Sequence, residues 1–253
     1  PQARASLTPL ARHLAEVREA QVTAPETLAG VCDGFDIVLS AVGITRQRDG
    51  LAPAMVDHLA NVNLLREAER AGVGHFAYVS VIGADRPSGV LVIEAKRRFE
   101  AALRDSRLGW TIFRPSGFFT DLLDLLAMAR RGRVWLIGSG EARITPIDVD
   151  DLGKFIAANL SRSASIIEAG GPEDWTWNEL ALACFQALGM PARIQHLPPI
   201  LVRGLVAAIR PISPATSAAL SFVAHVQTRE CTAARVVQTG LRDFLSRTAA
   251  SAL

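Results

Sequence analysis

Short apolar runs alternate along this chain with longer stretches in which apolar residues recur every three or four positions. Residues 35–40, entered through Asp33-Gly34 and left through Gly43, read as a strand. So do residues 76–80, after the breaker Ala71-Gly72-Val73-Gly74, and residues 110–114, which run from Gly109 into Pro115. All three are apolar nearly throughout, the pattern of a parallel sheet covered on both faces. Between the first two, Leu51, Met55, Leu59, Val62 and Leu65 form a helical stripe predicted to face the sheet. Between the second and third, a helix over about 90–104 places Val92, Lys96, Phe99 and Leu103 on one stripe and Glu94, Arg97 and Arg104 opposite. Residues 134–137 are strand-like before the turn Gly138-Ser139-Gly140. Asp148 is placed to cap a helix through Leu160, and residues 165–169 form a further strand ending in Gly170-Gly171-Pro172. Thr176 and Glu179 make a capping box for a helix to about Leu188, ended by Gly189. The prolines at 191, 198, 199, 211 and 214 then break the remainder into short helices of a smaller lobe. The alternation predicts an α/β fold. No internal repeat or low-complexity segment interrupts it.

Composition narrows the function classes. With 253 residues, 49% of them hydrophobic and 21% charged, the chain is neither disordered, collagenous nor a disulfide scaffold. A net charge of +2 gives no reason to expect a nucleic-acid partner. Cys32, Cys184 and Cys231 are odd in number with no C-x-x-C, so free buried thiols in a reducing, cytoplasmic setting are expected. The histidines at 13, 58, 75, 196 and 225 form no close ligand pair, so no metal is expected. No G-x-S-x-G elbow or P-loop is present. The most apolar run, 198–209, contains Arg203 and is shorter than the ~20 residues of a membrane crossing. Its apolar face could lie on a membrane surface, but packing into the small lobe is the expected arrangement. The chain opens on Pro1 rather than methionine, the start expected of a processed or truncated product.

Candidate chemistry lies at the carboxyl ends of the strands, where open α/β sheets bind ligands. There the residues are small or polar: Ser40, Ala41, Val42 and Gly43; Ser80; and Pro115, Ser116, Gly117 and Phe118. They would let a flat, extended ligand approach the backbone, or they are ordinary strand-to-loop punctuation. Lys96 shifts that balance. Of the 27 basic residues only Lys96 and Lys154 are lysines. An ammonium on an apolar stripe needs a partner or a ligand hydroxyl, unless it snorkels to the surface.

The segments Asp33-Gly34-Phe35-Asp36-Ile37-Val38-Leu39-Ser40-Ala41-Val42-Gly43, Asn63-Leu64-Leu65 with Ala71-Gly72-Val73, Tyr78-Val79-Ser80, Lys96 with Glu100, Arg114-Pro115-Ser116-Gly117-Phe118-Phe119, and Pro146-Ile147 before Asp150-Asp151-Leu152 occur in a telling order. Over residues 15–175 the chain thereby resembles the atypical short-chain dehydrogenase/reductase proteins, most closely their NmrA-like, NAD(P)H-binding group. The resemblance implies a Rossmann-like doubly wound parallel sheet. It implies that Ser40, Ala41, Val42 and Gly43 line the adenine and ribose side of NAD(P), and that Ser80 and Lys96 sit near the nicotinamide ribose. Pro115, Ser116, Gly117 and Phe118 would border the nicotinamide, and Lys96 would be the catalytic residue, favouring hydride transfer electrostatically. Asp36 is read as structural.

Three departures accompany the resemblance. Conventional members carry Tyr-x-x-x-Lys, but Val92 stands four residues before Lys96 and the only tyrosine is Tyr78, which excludes tyrosine acid catalysis of that kind. Where the family has G-D-V-T, the chain reads Ala20-Gln21-Val22-Thr23, so Gln21, with Val22 beside it, is the expected adenine contact. No G-x-x-G-x-x-G turn is present, and residue 1 aligns beyond the family's second strand. The chain is therefore expected to lack a strand, glycine turn, helix and strand, about 40–50 residues. That would leave the run at 17–22 without its usual neighbour and make dinucleotide binding weak or absent. The expected organisation is an NAD(P)-binding domain over 1–175, incomplete at its N-terminus, and a small helical substrate-side lobe over 176–253. The expected function is an NAD(P)-dependent oxidoreductase acting on a small organic substrate. The alternative is a non-catalytic NAD(P)-binding regulator or assembly factor. Cofactor preference and oligomeric state stay open.

Overall fold

The computed structural model describes residues 15–43, 51–160, 162 and 164–250. Strand β1 (Ile37–Ser40) is followed by a π-helical segment, Ala54–Ala60, that runs into α1 (Asn61–Ala71). Then come β2 (His75–Val79), α2 (Leu91–Arg104) and β3 (Gly109–Pro115). Helix α3 (Leu123–Arg130) leads to β4 (Val134–Ile137) and the short β5 (Arg143–Ile144). Helix α4 (Val149–Asn159), β6 (Ser165–Ala169) and the two-residue β7 (Trp175–Thr176) follow. The chain closes with α5 (Trp177–Ala187), β8 (Ile194–Leu197), α6 (Pro199–Ile209), α7 (Pro214–Thr228) and α8 (Leu241–Ala250).

The main sheet is parallel with strand order β1-β2-β3-β6. Its register pairs Ile37 with His75, His75 with Gly109 and Thr111 with Ser165. Because successive side chains point to opposite faces, Phe76, Tyr78 and Ile112 pack on one side with Leu65, Phe99 and Leu103 of α1 and α2. Ala77 and Phe113 pack on the other side with Leu152 and Ile156 of α4. The central strands β2 and β3 are covered on both faces, as their apolar runs required, whereas β1 keeps one face open. Two small sheets lie outside it: β4 runs parallel to β8, and β5 antiparallel to β7. They share a core with α3, α5 and α8 built on Leu126, Leu136, Trp177, Phe185 and Leu245. The caps form where the side chains predicted them. Asp148 accepts from the Asp150 and Asp151 amides at 2.9 and 3.2 Å. Thr176 and Glu179 close their box at 3.1 and 2.7 Å, and Gly189 ends α5 in the left-handed region.

Three expectations are corrected. The stripe Leu51, Met55, Leu59, Val62, Leu65 does not face the sheet throughout: Met55 and Leu59 are exposed, while Asp57, Ala60 and Asn61 are buried. The π-helical segment widens the first turns beyond 3.6 residues, so the periodicity of α1 does not extend back through it. Residues 194–197, assigned to a lobe of short helices, form β8, with Gln195 and His196 facing outward between Ile194 and Leu197. The run at 17–22 forms no strand. It is largely exposed and has no pairing partner among the described residues, and the neighbouring β1 leaves Phe35, Ile37 and Leu39 exposed.

Candidate functional site

Four pieces of backbone meet at the carboxyl end of the sheet: the loop after β1, the end of β2 with Ser80, the turn after β3, and the middle of α2. The loop after β1 is held by Asn61 at the start of α1. Asn61 is fully buried. Its Oδ1 accepts the Ser40 hydroxyl at 2.6 Å, and its Nδ2 donates to the Val42 carbonyl at 3.2 Å and the Asp57 carbonyl at 3.1 Å. The Ser40 hydroxyl also receives the Val42 amide at 3.3 Å. Ser40 is thereby consumed by loop shaping, whereas Ala41 and Gly43 are exposed.

The π-helical segment turns Asp57 inward, where it is fully buried. Its Oδ1 lies 3.2 Å from Lys96 Nζ. The same ammonium donates at 3.4 Å to the Tyr78 hydroxyl and at 3.4 Å to the Val79 carbonyl, and lies 5.3 Å from the Tyr78 ring centre. Lys96 keeps 12% of its side chain exposed. It is thus a paired, largely buried cation, and Asp57 is the partner its apolar stripe demanded. Gly43 sits directly over the pair: a Cβ there would stand 2.8 Å from both Asp57 Oδ1 and Lys96 Nζ. A larger residue there would have to displace the ends of both side chains. Tyr78, though beside Lys96, is wholly buried. Burial, with the negative charges of Asp57 and Glu100, pushes its phenol well above the ordinary value, so it holds its proton.

Beneath this pair lies a second buried ion pair. Arg114 holds Glu100 bidentately, at 3.0 Å through Nε and 2.5 Å through its terminal nitrogen. Glu100 also accepts the Ser80 hydroxyl at 2.5 Å. Ser80 therefore points into the sheet, and its amide is bonded to the Phe113 carbonyl at 2.7 Å. After β3, the Ser116 hydroxyl donates to the Thr145 carbonyl at 2.6 Å, and the Gly117 carbonyl accepts the Ile147 amide at 2.8 Å. Pro115 and Ser116 are buried, while Gly117 and Phe118 are half-buried at the rim. Gln21 is exposed on the loop ahead of β1, its Nε2 on the Thr23 hydroxyl at 3.1 Å. The Val22 carbonyl is tied to Asn63 Nδ2 at 3.1 Å.

The structure thus joins Gly43 and Lys96 in one contact and gives Ser40, Ser80 and Ser116 internal hydrogen-bond partners. Sequence reasoning missed Asp57 and Asn61. The signal for Asp57 was a carboxylate close to Lys96 in the fold, which helical periodicity placed on the wrong side. Among the described residues no cluster of His, Cys, Asp and Glu could hold a metal ion.

A parallel sheet flanked by helices, with a paired lysine near the carboxyl ends of its strands, defines a Rossmann-like α/β protein. The chain belongs to the NAD(P)H-binding family, which it matches over residues 3–162. It is 28% identical over 189 residues to the photosystem II assembly factor Ycf39 of Guillardia theta, covering 73% of this chain and 60% of that protein. It is 26% identical over 188 residues to the NAD(P)H azoreductase of Xenophilus azovorans, covering 73% of this chain and 66% of that protein. In fold it resembles a nucleoside-diphosphate-sugar epimerase from Staphylococcus aureus, with a TM-score of 0.75 and 16% identity over 91% of this chain and 83% of the other. It also resembles an NADPH-dependent quinone oxidoreductase from Escherichia coli complexed with NADPH, with a TM-score of 0.67 and 20% identity over 96% and 87%. The chain spans about 60% of the length of the Ycf39 proteins it matches.

Proposed function

We propose that this chain carries the substrate side and the nicotinamide side of an NAD(P)H-dependent reductase acting on a small organic acceptor. One observation supports this above the others: the Lys96 ammonium, fixed by buried Asp57 directly under Gly43, on a side chain that keeps 12% exposure. Its contacts to Tyr78 and Val79, both at 3.4 Å, are the long ones that a ribose hydroxyl would replace. A crevice whose floor leaves no room for a Cβ suits the edge of a flat ligand. The residues therefore fit the ribose and nicotinamide half of a dinucleotide. No described residue presents a glycine-rich turn to a pyrophosphate.

Lys96, with Ser80, would lie at the nicotinamide ribose, the turn Pro115, Ser116, Gly117 and Phe118 would shape the nicotinamide wall, and Ser40, Ala41, Val42 and Gly43 the adenosine side, with Gln21 and Val22 at the adenine end. When bound, the dinucleotide supplies a hydride. Asp57 keeps the ammonium aimed, and the positive charge at the crevice mouth favours an acceptor that gains electron density. The azoreductase relative is an example of such chemistry in this family. Three free, buried cysteines accord with a reducing cytoplasm.

The test is steady-state oxidation of NADPH and NADH by quinone, azo and enone acceptors. Turnover that falls at least about a hundredfold in Lys96→Met is expected. Absence of turnover with every acceptor, alongside dinucleotide binding, would leave the second reading: a dinucleotide-responsive assembly factor. Its supporting observation is that the only tyrosine is buried and proton-retaining, which leaves no tyrosine to act as a proton donor at the crevice mouth.

A further inference from the structure

Helix α6 is apolar all round yet packed on one side only. Val202, Val206 and Ile209, spaced four and three, form its inner stripe. Val202 is buried, and the Val206 carbonyl receives the Ser217 hydroxyl of α7 at 3.0 Å. The opposite sector carries Ile200, 70% exposed, Leu201, 64%, and Leu205, 52%, and the turn after the helix adds Ile212, 84%. Val223 on α7 is also exposed. A helix hydrophobic on every face is normally enclosed by protein. Here the packing expected for this segment accounts for only half of its apolar surface.

Charge says what meets the other half. From Leu180 to Arg229 there is no acidic residue, while Arg193, Arg203, Arg210 and Arg229 are present. Arg203 and Arg210, seven residues apart and exposed, share a stripe that borders the apolar sector. Their long stems can lie along the apolar surface with the guanidinium groups at a headgroup layer. Helix α6 is only about 16 Å long, too short to span a bilayer and suited to lying in its surface. Among the described residues no helix is long and apolar enough to cross a membrane.

We infer that α6 and the turn to α7 form a docking surface for an anionic lipid bilayer, with Ile200, Leu201, Leu205 and Ile212 inserted at the headgroup boundary and Arg203 and Arg210 on lipid phosphates. The surface is independent of the dinucleotide crevice, so the two readings stand or fall separately. A second copy would set Arg203 and Arg210 against like charges, and a protein partner would need an acidic apolar face of its own, whereas an anionic bilayer supplies both.

Co-sedimentation of the full chain with phosphatidylcholine vesicles, with and without about a third phosphatidylglycerol, tests this. Binding is expected to anionic vesicles, to weaken with salt, and to fall at least about tenfold in the Leu201→Ser, Leu205→Ser double variant. Both positions are exposed, so thermal melting monitors that the fold is kept. Arg203→Gln with Arg210→Gln is expected to reduce anionic binding about tenfold while leaving neutral binding unchanged. Failure to bind any vesicle, or binding indifferent to the serine substitutions, would overturn the inference. So would a concentration-dependent dimer, abolished by those substitutions, in a chain that ignores vesicles.

Discussion

Gly43, Asp57 and Lys96 act as one unit, because the loop carrying the first rests on the ion pair made by the other two. Gly43→Ala should push the ammonium off its position and lower turnover about tenfold, with little change in melting temperature because the residue lies at an exposed loop. Steady-state kinetics beside a thermal melt would check both halves. The pair below behaves differently. Glu100 and Arg114 are buried and mutually satisfied, so Glu100→Ala leaves an uncompensated guanidinium and should cost about 3–5 kcal/mol in urea unfolding. Lys96 was legible in the sequence because it is one of only two lysines and lies on an apolar stripe. Asp57 and Asn61 were not, since their burial depends on backbone geometry ahead of α1 that periodicity does not encode. Ser40, Ser80 and Ser116 were visible as polar residues at strand ends, but their hydroxyls turn inward to Asn61, Glu100 and Thr145.

Strands β1, β2 and β3 announce themselves by runs that are apolar nearly throughout, β6 by a short run ending in Gly170-Gly171-Pro172, and α4 and α5 by their caps. Thr176→Ala should cost about 1 kcal/mol by chemical denaturation, since it removes the hydroxyl that receives the Glu179 amide. The π-helical segment is the element the sequence hid: its apolar residues keep the spacing of an α-helix while the backbone does not follow it. Burial also sets the pH response of the elements. His75, at the start of β2, is held neutral by desolvation, with its Nε2 on the Thr111 hydroxyl at 2.9 Å. His58 is lowered by burial and then by the charge of Arg98, and His225 by burial and then by Arg229. A histidine depressed in the folded state contributes stability that is full above the unfolded value near 6.5 and lost as pH falls below it. Urea midpoints should therefore drop between pH 7 and pH 5, and His75→Asn should flatten that drop. A midpoint constant over that range would contradict this reading of the buried histidines.

At the scale of the molecule, the order of elements made the parallel sheet legible. The pairing of β4 with β8 and the outward apolar sector of α6 were not, because both depend on contacts far apart in the chain. Among the described residues β1 is an edge strand, and no turn beside it offers amides to a pyrophosphate. The chain should accordingly hold NADPH without a grip on its pyrophosphate, with a dissociation constant above about 10 μM by calorimetry. The central claim, that Lys96 contacts the dinucleotide, can be read directly because the chain has only two lysines. Lys154 lies on the exposed surface of α4, paired with Asp151 at 3.2 Å, and serves as an internal reference. In protein labelled at the lysine side-chain nitrogen, saturating NADPH is expected to shift the Lys96 resonance and leave that of Lys154 in place. A Lys96 resonance that stays put, or moves no more than that of Lys154, would contradict the account.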